Sequence, residues 1–581
     1  MMTTITDRRV VLASSCLILA VVALTASLLP AVKVSGSQAR PTITRPNIII
    51  IALDDVGFSD LGAFGSEIAT PHIDSLAKRG LRYTRFDTNA ICSATRASLL
   101  TGRNAQTMRM TALPSDLAAP NPDDTSAYKG EIPPNVEFLP EALRRAGYAT
   151  FAVGKWHLSP RYDAGHAGSN VSFPQQRGFD SFYGFKMGWT DQYRPELVES
   201  NSTATAPERP DYQLSTDLID HAIDAIRTNR RTAPDRPFFL YLGMPVAHAP
   251  TQVSSHYIER YMPVYEKGWD RIREERFARQ QTLGIVAPGT KLTVRESGDP
   301  SWESLTAQQR RVYGRFMAAY AGFLQYGDEQ IGRLLDVLRL EGVENNTVVV
   351  LFSDNGPASE TKGGGFRVPY GDRTTLQQMD EQLDALGGPS TQPLYQRPWA
   401  YAGATPLRRY KLWPYQGGIR TPLIVAWPGR VPDPGALRSQ YVHVIDIAPS
   451  LLDVAGGTFR DLVNGSPQIP VAGRSIVPTL LSAQAKAPRS VQFFELWGNR
   501  AITSGRWRAV SVHKPGTDFS RDLWQLFDIE TDPTESKDLS AVNPRKLAEL
   551  QQLWRQEAAK YGDLPLREAP SGRQSTFADQ F

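Results

Sequence analysis

Asn47-Ile48-Ile49-Ile50-Ile51-Ala52-Leu53-Asp54-Asp55 is an apolar, mostly β-branched run that stops at two carboxylates. A strand with one wet face would alternate apolar and polar residues, so an unbroken run reads as a strand buried on both faces. Residues 149–153, 238–242, 347–352 and 422–426 have the same character. Helical stretches lie between these runs. Residues 139–145 form a short one that stops before Gly147. A long one starts at Thr306, where Gln309 completes a capping box. Its apolar residues Val312, Phe316, Ala319 and Phe323 recur at helical spacing, and the pattern continues through Ile331, Leu334 and Leu338 to Gly342. Strands alternating with helices predict an α/β fold with a large, mainly parallel sheet flanked by helices.

The chain has 581 residues, more than the roughly 100–200 of one typical domain. Residues 356–410 are polar and rich in Gly, Pro and Gln, and read as a long loop near the site. After about Gly429 the character changes. Short strands at 493–496, 501–503, 507–512 and 526–529 precede a helix with Asn543 as N-cap, Pro544 in its first turn and Gly562 past its end. The expected organisation is an export segment over 1–39, the main α/β domain over 40–430, a smaller α+β subdomain over 431–566 and a flexible tail over 567–581.

Arg8 and Arg9 precede an uncharged apolar stretch over residues 10–32, and Ser37-Gln38-Ala39 offers a cleavage site. The pattern Arg8-Arg9-Val10-Val11-Leu12 resembles a twin-arginine signal. The stretch exceeds the roughly 20 residues that span a bilayer, so an uncleaved anchor is the alternative to a cleaved signal. Either way the expectation is an exported protein, periplasmic or secreted, touching a membrane only if the segment is retained. Cys16 and Cys92 are the two cysteines, and Cys16 lies in the export segment. The mature chain then has one thiol and no internal disulfide. The formal charge of +4 comes with no long basic run, which argues against a nucleic-acid partner.

Asp54 and Asp55 follow one predicted strand, and Asp354 and Asn355 follow another. Ligands of open α/β sheets collect at the carboxyl ends of strands. Either pair alone is most often a turn or a cap. Together they bring three carboxylates and an amide to one place, which a hard divalent cation would stabilise. The segment Cys92-Ser93-Ala94-Thr95-Arg96-Ala97-Ser98-Leu99-Leu100-Thr101-Gly102-Arg103 reads as a short helix ending at Gly102, with Cys92 near its start. A helix N-terminus favours negative charge developing there. Lys155 and His157, His248, and Lys411 each lie beside a predicted strand. Cations gathered there suit a tetrahedral anionic group.

These residues resemble the sulfatase family of the alkaline phosphatase superfamily. The segment from Cys92 to Arg103 is similar to its maturation signature, Cys-x-Pro/Ala-x-Arg followed by Leu-Thr-Gly-Arg. Gly154-Lys155-Trp156-His157-Leu158, Ser353-Asp354-Asn355-Gly356 and the stretch from Lys411 through Gly417-Gly418-Ile419-Arg420-Thr421-Pro422 resemble three further family segments. Gly268-Trp269-Asp270 to Arg279 and Trp497-Gly498-Asn499-Arg500-Ala501-Ile502 look like the bacterial arylsulfatase branch. Phe527-Asp528 through Asp532-Pro533 and Glu535 resembles the family's C-terminal domain. Two positions depart from the pattern. Ala94 stands where most members have Pro, which makes conversion depend on the maturating enzyme, and Gln416 stands where Glu usually precedes the two glycines.

The resemblance implies an alkaline-phosphatase-like fold and hydrolysis of sulfate esters to an alcohol or phenol and inorganic sulfate. It implies that a formylglycine-generating or sulfatase-maturating enzyme oxidises Cys92 to 3-oxoalanine (formylglycine), whose hydrate attacks sulfur and then expels sulfate. It assigns Asp54, Asp55, Asp354 and Asn355 to a Ca²⁺ ion, with Mg²⁺ the lesser choice. It gives Arg96 the task of steadying the diol. Lys155 and Lys411 take the sulfate oxygens, His248 protonates the departing alcohol while touching substrate, and His157 is the base that triggers sulfate ejection. Two alternatives stand beside it. One is a phosphonate monoester or phosphodiester hydrolase of the same superfamily. The other is a non-catalytic envelope-binding homologue in which Cys92 stays a thiol.

Overall fold

Residues 48–51 expose no surface because their strand lies inside a ten-stranded sheet with a packed layer on each face. Ile49 and Ile51 face one apolar cluster while Ile48 and Ile50 face the other, so the period-two alternation of a strand serves two cores at once. Each fully buried Ile contributes about 1.5–3 kcal/mol. The computed structural model describes residues 45–114, 130–160, 170–296, 298–361, 363–366 and 374–569. The expected export segment and residues 570–581 of the expected tail lie outside the described residues.

The strands are β1 Asn47–Leu53, β2 Leu81–Tyr83, β3 Phe86–Asp87, β4 Ala149–Lys155, β5 Ser181–Phe185, β6 Leu197–Glu199, β7 Ser202–Ala204, β8 Phe238–Gly243, β9 Thr347–Ser353, β10 Leu423–Ala426 and β11 Leu437–Arg438. All but β3 form the large sheet, in the order β11-β2-β10-β9-β1-β8-β4-β5-β6-β7. The core from β9 through β5 is parallel, whereas β10 runs antiparallel to β9 and the β6–β7 edge is antiparallel. The large mixed, mainly parallel sheet read from the sequence is therefore the observed one. Leu53 pairs with Ser353, so Asp54 and Asp354 leave neighbouring strands at the same level.

The predicted helices form at their predicted places. Leu139–Arg145 is a helix, and Ala307–Leu340 is one helix of 34 residues whose Thr306 and Gln309 close the capping box. The stretch over residues 356–410 differs from the long loop expected. Leu376–Glu381 and Arg397–Gly403 are helices, the first capped by Thr375 and Gln378 and the second opened by Pro398. Their few residues are too short for periodicity to register. A second, four-stranded antiparallel sheet comprises Val491–Leu496, Asn499–Ser504, Trp507–Ser511 and Trp524–Asp528, and the helix Pro544–Lys560 packs on it. At the start of the expected tail, Glu568 accepts the Gly516 amide and Ala569 is buried.

One buried ion network braces the turn after β1. Arg276, on the helix Gly268–Thr282, donates to Asp60, Glu67 and Ser59 and is fully enclosed. Asp60 also accepts the Gly57 amide and the Tyr320 hydroxyl. Removing one member of a buried ion pair leaves the other uncompensated, at a cost of about 3–5 kcal/mol. Arg276→Ala is expected to lower the unfolding midpoint accordingly. A midpoint equal to the parent's would show that the network contributes nothing.

Candidate active site

Ten side chains singled out from the sequence meet at the carboxyl end of the parallel core. β1 ends on Leu53 and delivers Asp54 and Asp55. β9 ends on Ser353 and delivers Asp354 and Asn355. Lys155 is the last residue of β4, with His157 two residues on, and His248 follows β8. Cys92 and Arg96 lie on the helix Cys92–Thr101, which ends on Gly102 in a left-handed conformation. Lys411 comes from the segment before β10.

Contacts tie these groups together. The Arg96 guanidinium donates to Asp354 Oδ2 through Nε at 3.0 Å and Nη2 at 2.7 Å, and Nη2 lies 3.8 Å from Asp54 Oδ1. Lys155 Nζ donates to Asp54 Oδ2 at 2.7 Å. Lys411 Nζ lies 2.7 and 2.8 Å from the two Asp55 oxygens. The Asn355 amide donates to Asp55 Oδ1 at 2.6 Å, and the Asp55 backbone donates to Asp354 Oδ1 at 3.3 Å. His248 Nε2 sits 3.5 Å from Asp55 Oδ2, while its Nδ1 is 2.6 Å from the Ala249 carbonyl. Cys92 Sγ lies 3.2 Å from His157 Nδ1. All ten residues are buried or nearly so.

Two of these residues adopt left-handed backbone conformations, Asp55 with φ 60° and His157 with φ 55°. Such conformations are costly for residues other than Gly and persist where surrounding contacts enforce them. For Asp55 the enforcement is visible. The Asp54 amide donates to Val246 O, and the Val56 amide donates to Ser353 Oγ. Close backbone packing does the same across the cleft. A Cβ at Gly356 would lie 2.0 Å from Gly417 O, so the Asn355 turn and the segment carrying Lys411 meet only because Gly stands there.

The electrostatics suit a cation and an anion side by side. Burial, reinforced by Asp354 and Asp55 against Lys155 and Arg96, pushes Asp54 up to about 7. Burial would raise Asp55 too, but Lys411, His248 and Lys155 outweigh it and hold it at about 2. Asp54 Oδ1 and Asn355 Oδ1 are buried without a hydrogen-bond partner, which is expensive unless a ligand completes them. Oxygens of Asp54 and Asp55 and a His248 nitrogen lie within 4.8 Å of one another. Two orphaned oxygens in a cluster of three carboxylates and an amide fit a hard divalent ion. Burial drives the Cys92 thiol up despite Lys155 and Lys411, so it is a poor thiolate. Burial with the Lys155, Arg96 and Lys411 charges holds His157 well below the usual imidazole range, leaving its ring neutral.

Several supporting residues were not legible in the sequence. Tyr241, inside β8, accepts from Arg96 Nη1 at 2.8 Å. Gly188 lies against the His157 ring, where a Cβ would come within 2.8 Å of Cε1. A lone Tyr in an apolar strand or a Gly in a turn gives no local signal of its partner.

The family model described as Sulfatase matches residues 46–457, and one described as N-sulphoglucosamine sulphohydrolase, C-terminal, matches residues 409–561. The chain is 31% identical over 549 residues to an uncharacterized sulfatase of Schizosaccharomyces pombe, covering 88% of this chain and 93% of that one. It is 30% identical over 447 residues to the arylsulfatase of Klebsiella aerogenes, covering 74% and 91%. A crystal structure of Ps i-CgsB in complex with k-i-k-neocarrahexaose superposes with a TM-score of 0.63 at 21% identity, covering 92% of this chain and 98% of that one.

Proposed function

The chain belongs to the sulfatase family and hydrolyses sulfate esters, and on that premise we propose that its nucleophile is a formylglycine made from Cys92, working beside a Ca²⁺ ion held by Asp54, Asp55, Asp354 and Asn355. The observation that carries this reading is the contact of Cys92 with His157 in the same cleft as the two orphaned oxygens. A buried, protonated thiol there has no useful nucleophilicity of its own. The ion, when bound, supplies a Lewis acid for a sulfate oxygen, and the hydrated aldehyde supplies one hydroxyl to attack sulfur and a second whose deprotonation releases sulfate.

The chain's own residues do the rest. Lys155 and Lys411 neutralise the charge that the sulfate oxygens carry. Arg96 holds Asp354 in place through two donors and steadies the side chain at position 92 one helical turn away. His157 takes a proton at Nδ1, the atom that faces Cys92 Sγ. His248 gives a proton to the departing alcohol at Nε2, since its Nδ1 is engaged with the Ala249 carbonyl. Burial, opposed by Asp55 and aided by Lys411 and Lys155, pushes His248 down to about 3, and an anionic sulfate group between the two lysines offsets their charges.

His248→Ala therefore slows esters of poorly acidic alcohols by roughly 10²–10⁴-fold and esters of acidic phenols far less, measured as kcat/KM across a leaving-group series. Equal losses across the series would remove His248 from the acid role. The reaction class is tested by comparing an aryl sulfate with a phosphonate monoester. The sulfate is expected to be the better substrate by a wide margin, and the reverse order would favour a phosphonate hydrolase.

Cys92 is 2% exposed, so a formylglycine-generating or sulfatase-maturating enzyme must reach the Cys92–Arg96 segment before it is enclosed. We further propose export to the periplasm or medium, on the strength of Arg8, Arg9 and the apolar stretch that follows them. Among the described residues no helix is long and apolar enough to cross a membrane.

A further inference from the structure

Lys411 reaches the cleft from a segment whose backbone is held from outside its own sheet. The Gln416 amide donates to Glu535 Oε2 at 2.8 Å, and the Pro414 carbonyl accepts from Arg508 Nη2. Both partners belong to the C-terminal sheet region. Arg508 lies on the strand Trp507–Ser511, and Glu535 lies in the turn after Trp524–Asp528. They pair with each other, Arg508 Nε to Glu535 Oε1 at 2.8 Å, and Arg508 Nη1 donates to Thr503 Oγ1 at 2.6 Å. Both side chains are fully enclosed. Glu535 also takes a left-handed backbone conformation, with φ 57°.

A buried ion pair is poor evidence of a stabilising device, because a well-packed apolar pair of similar volume often serves as well. What an apolar pair could not do is complete the amide of Gln416 and the carbonyl of Pro414. Those two groups flank the turn whose other end is fixed at the site. Lys411 N donates to Pro357 O at 3.1 Å, Gly417 N to Arg408 O at 2.8 Å, and Gly356 N to Gly418 O at 3.0 Å. The segment is thus pinned on one side to the Asn355–Gly356 turn and on the other to the ion pair.

We infer that Glu535 and Arg508 are positioning residues of the C-terminal sheet region that aim the Lys411 ammonium at the sulfate group. This rests on the reading of Lys411 as a sulfate-binding residue. The prediction concerns binding of the anion more than the chemical step, because Lys411 would meet sulfate oxygens in substrate, transition state and product alike.

The test uses the full matured chain, loaded with Ca²⁺, assayed with an aryl sulfate and with inorganic sulfate as a competing product. Lys411→Ala is expected to raise both KM and the inhibition constant of inorganic sulfate. Glu535→Gln keeps the shape of the side chain and is expected to raise both constants about tenfold, with a smaller change in kcat. In the Lys411→Ala background Glu535→Gln is expected to add little, since coupled residues are non-additive. Unchanged constants in Glu535→Gln, or a loss that adds in full to that of Lys411→Ala, would overturn the inference. Unchanged constants in Lys411→Ala itself would instead overturn the reading of Lys411, and the inference with it. If Glu535→Gln does not fold, Arg508→Lys takes its place. A lysine keeps the charge but cannot span Glu535, Thr503 and Pro414 at once, so a smaller rise in the same two constants is expected, and no rise would be equally fatal.

Discussion

Cys92→Ala lowers turnover of an aryl sulfate by at least roughly 10⁴-fold, the scale on which an enzyme loses its nucleophile, while the protein still folds. The two halves of that result come from the same location. Cys92 sits in the first turn of a helix whose ten residues are all buried. Loss of the atoms beyond Cβ there, whether aldehyde oxygen or unconverted sulfur, leaves a cavity costing about 1 kcal/mol, too little to unfold a core of this size. The chemical loss is different in kind, because no neighbour can take over. His157 is neutral and faces the vacated position, and the remaining groups around it are cations or carboxylates engaged with one another. Turnover close to the parent's in Cys92→Ala would remove position 92 from the chemistry, whatever the state of its side chain. The measurement is kcat on purified variant, with the unfolding midpoint as the control.

Asp54→Asn is the second large effect, a loss of about 10³-fold, taking several kcal/mol as the ion's share of the barrier. The substitution is nearly isosteric, but it removes one of three carboxylates and turns an orphaned buried acceptor into a group that must also find partners for an amide. It also removes the counter-charge of Lys155, whose ammonium lies 2.7 Å from Asp54 Oδ2. Chelation of divalent ions is expected to impose a comparable loss on the parent protein. Added Ca²⁺ should restore the parent and leave Asp54→Asn slow. A parent protein that keeps its full rate after exhaustive chelation would show that the oxygen cluster serves no ion in turnover.

The parts of this molecule written in short windows of sequence were the legible ones. Ile48 to Ile51 announce a strand with two buried faces by their lack of alternation, and Thr306 with Gln309 announce a helix start by a spacing of three. The acidic residues at the strand ends were legible only as a set, since either pair alone reads as a turn or a cap and two pairs at equivalent strand ends point to a shared site. What stayed hidden depends on partners far along the chain. Gly356 is needed because Gly417 approaches it, and Tyr241 gains a purpose only from Arg96, 145 positions away. The short helices inside residues 356–410 were missed because Leu376–Glu381 is six residues and Arg397–Gly403 seven. In that span the Gly, Pro and Gln content outweighed any apolar period. Glu535 could be noticed as part of a family-like motif, but nothing adjacent to it says that its carboxylate receives the Gln416 amide.

The central claim is that the side chain at position 92 works as an aldehyde hydrate and not as a thiol. Mass spectrometry of the tryptic peptide running from Phe86 to Arg96, taken from protein of measured sulfatase activity, addresses it directly. The account predicts the mass of the aldehyde at position 92, in a proportion that tracks specific activity from one preparation to the next. Fully active protein whose peptide carries an intact, alkylatable thiol would contradict it.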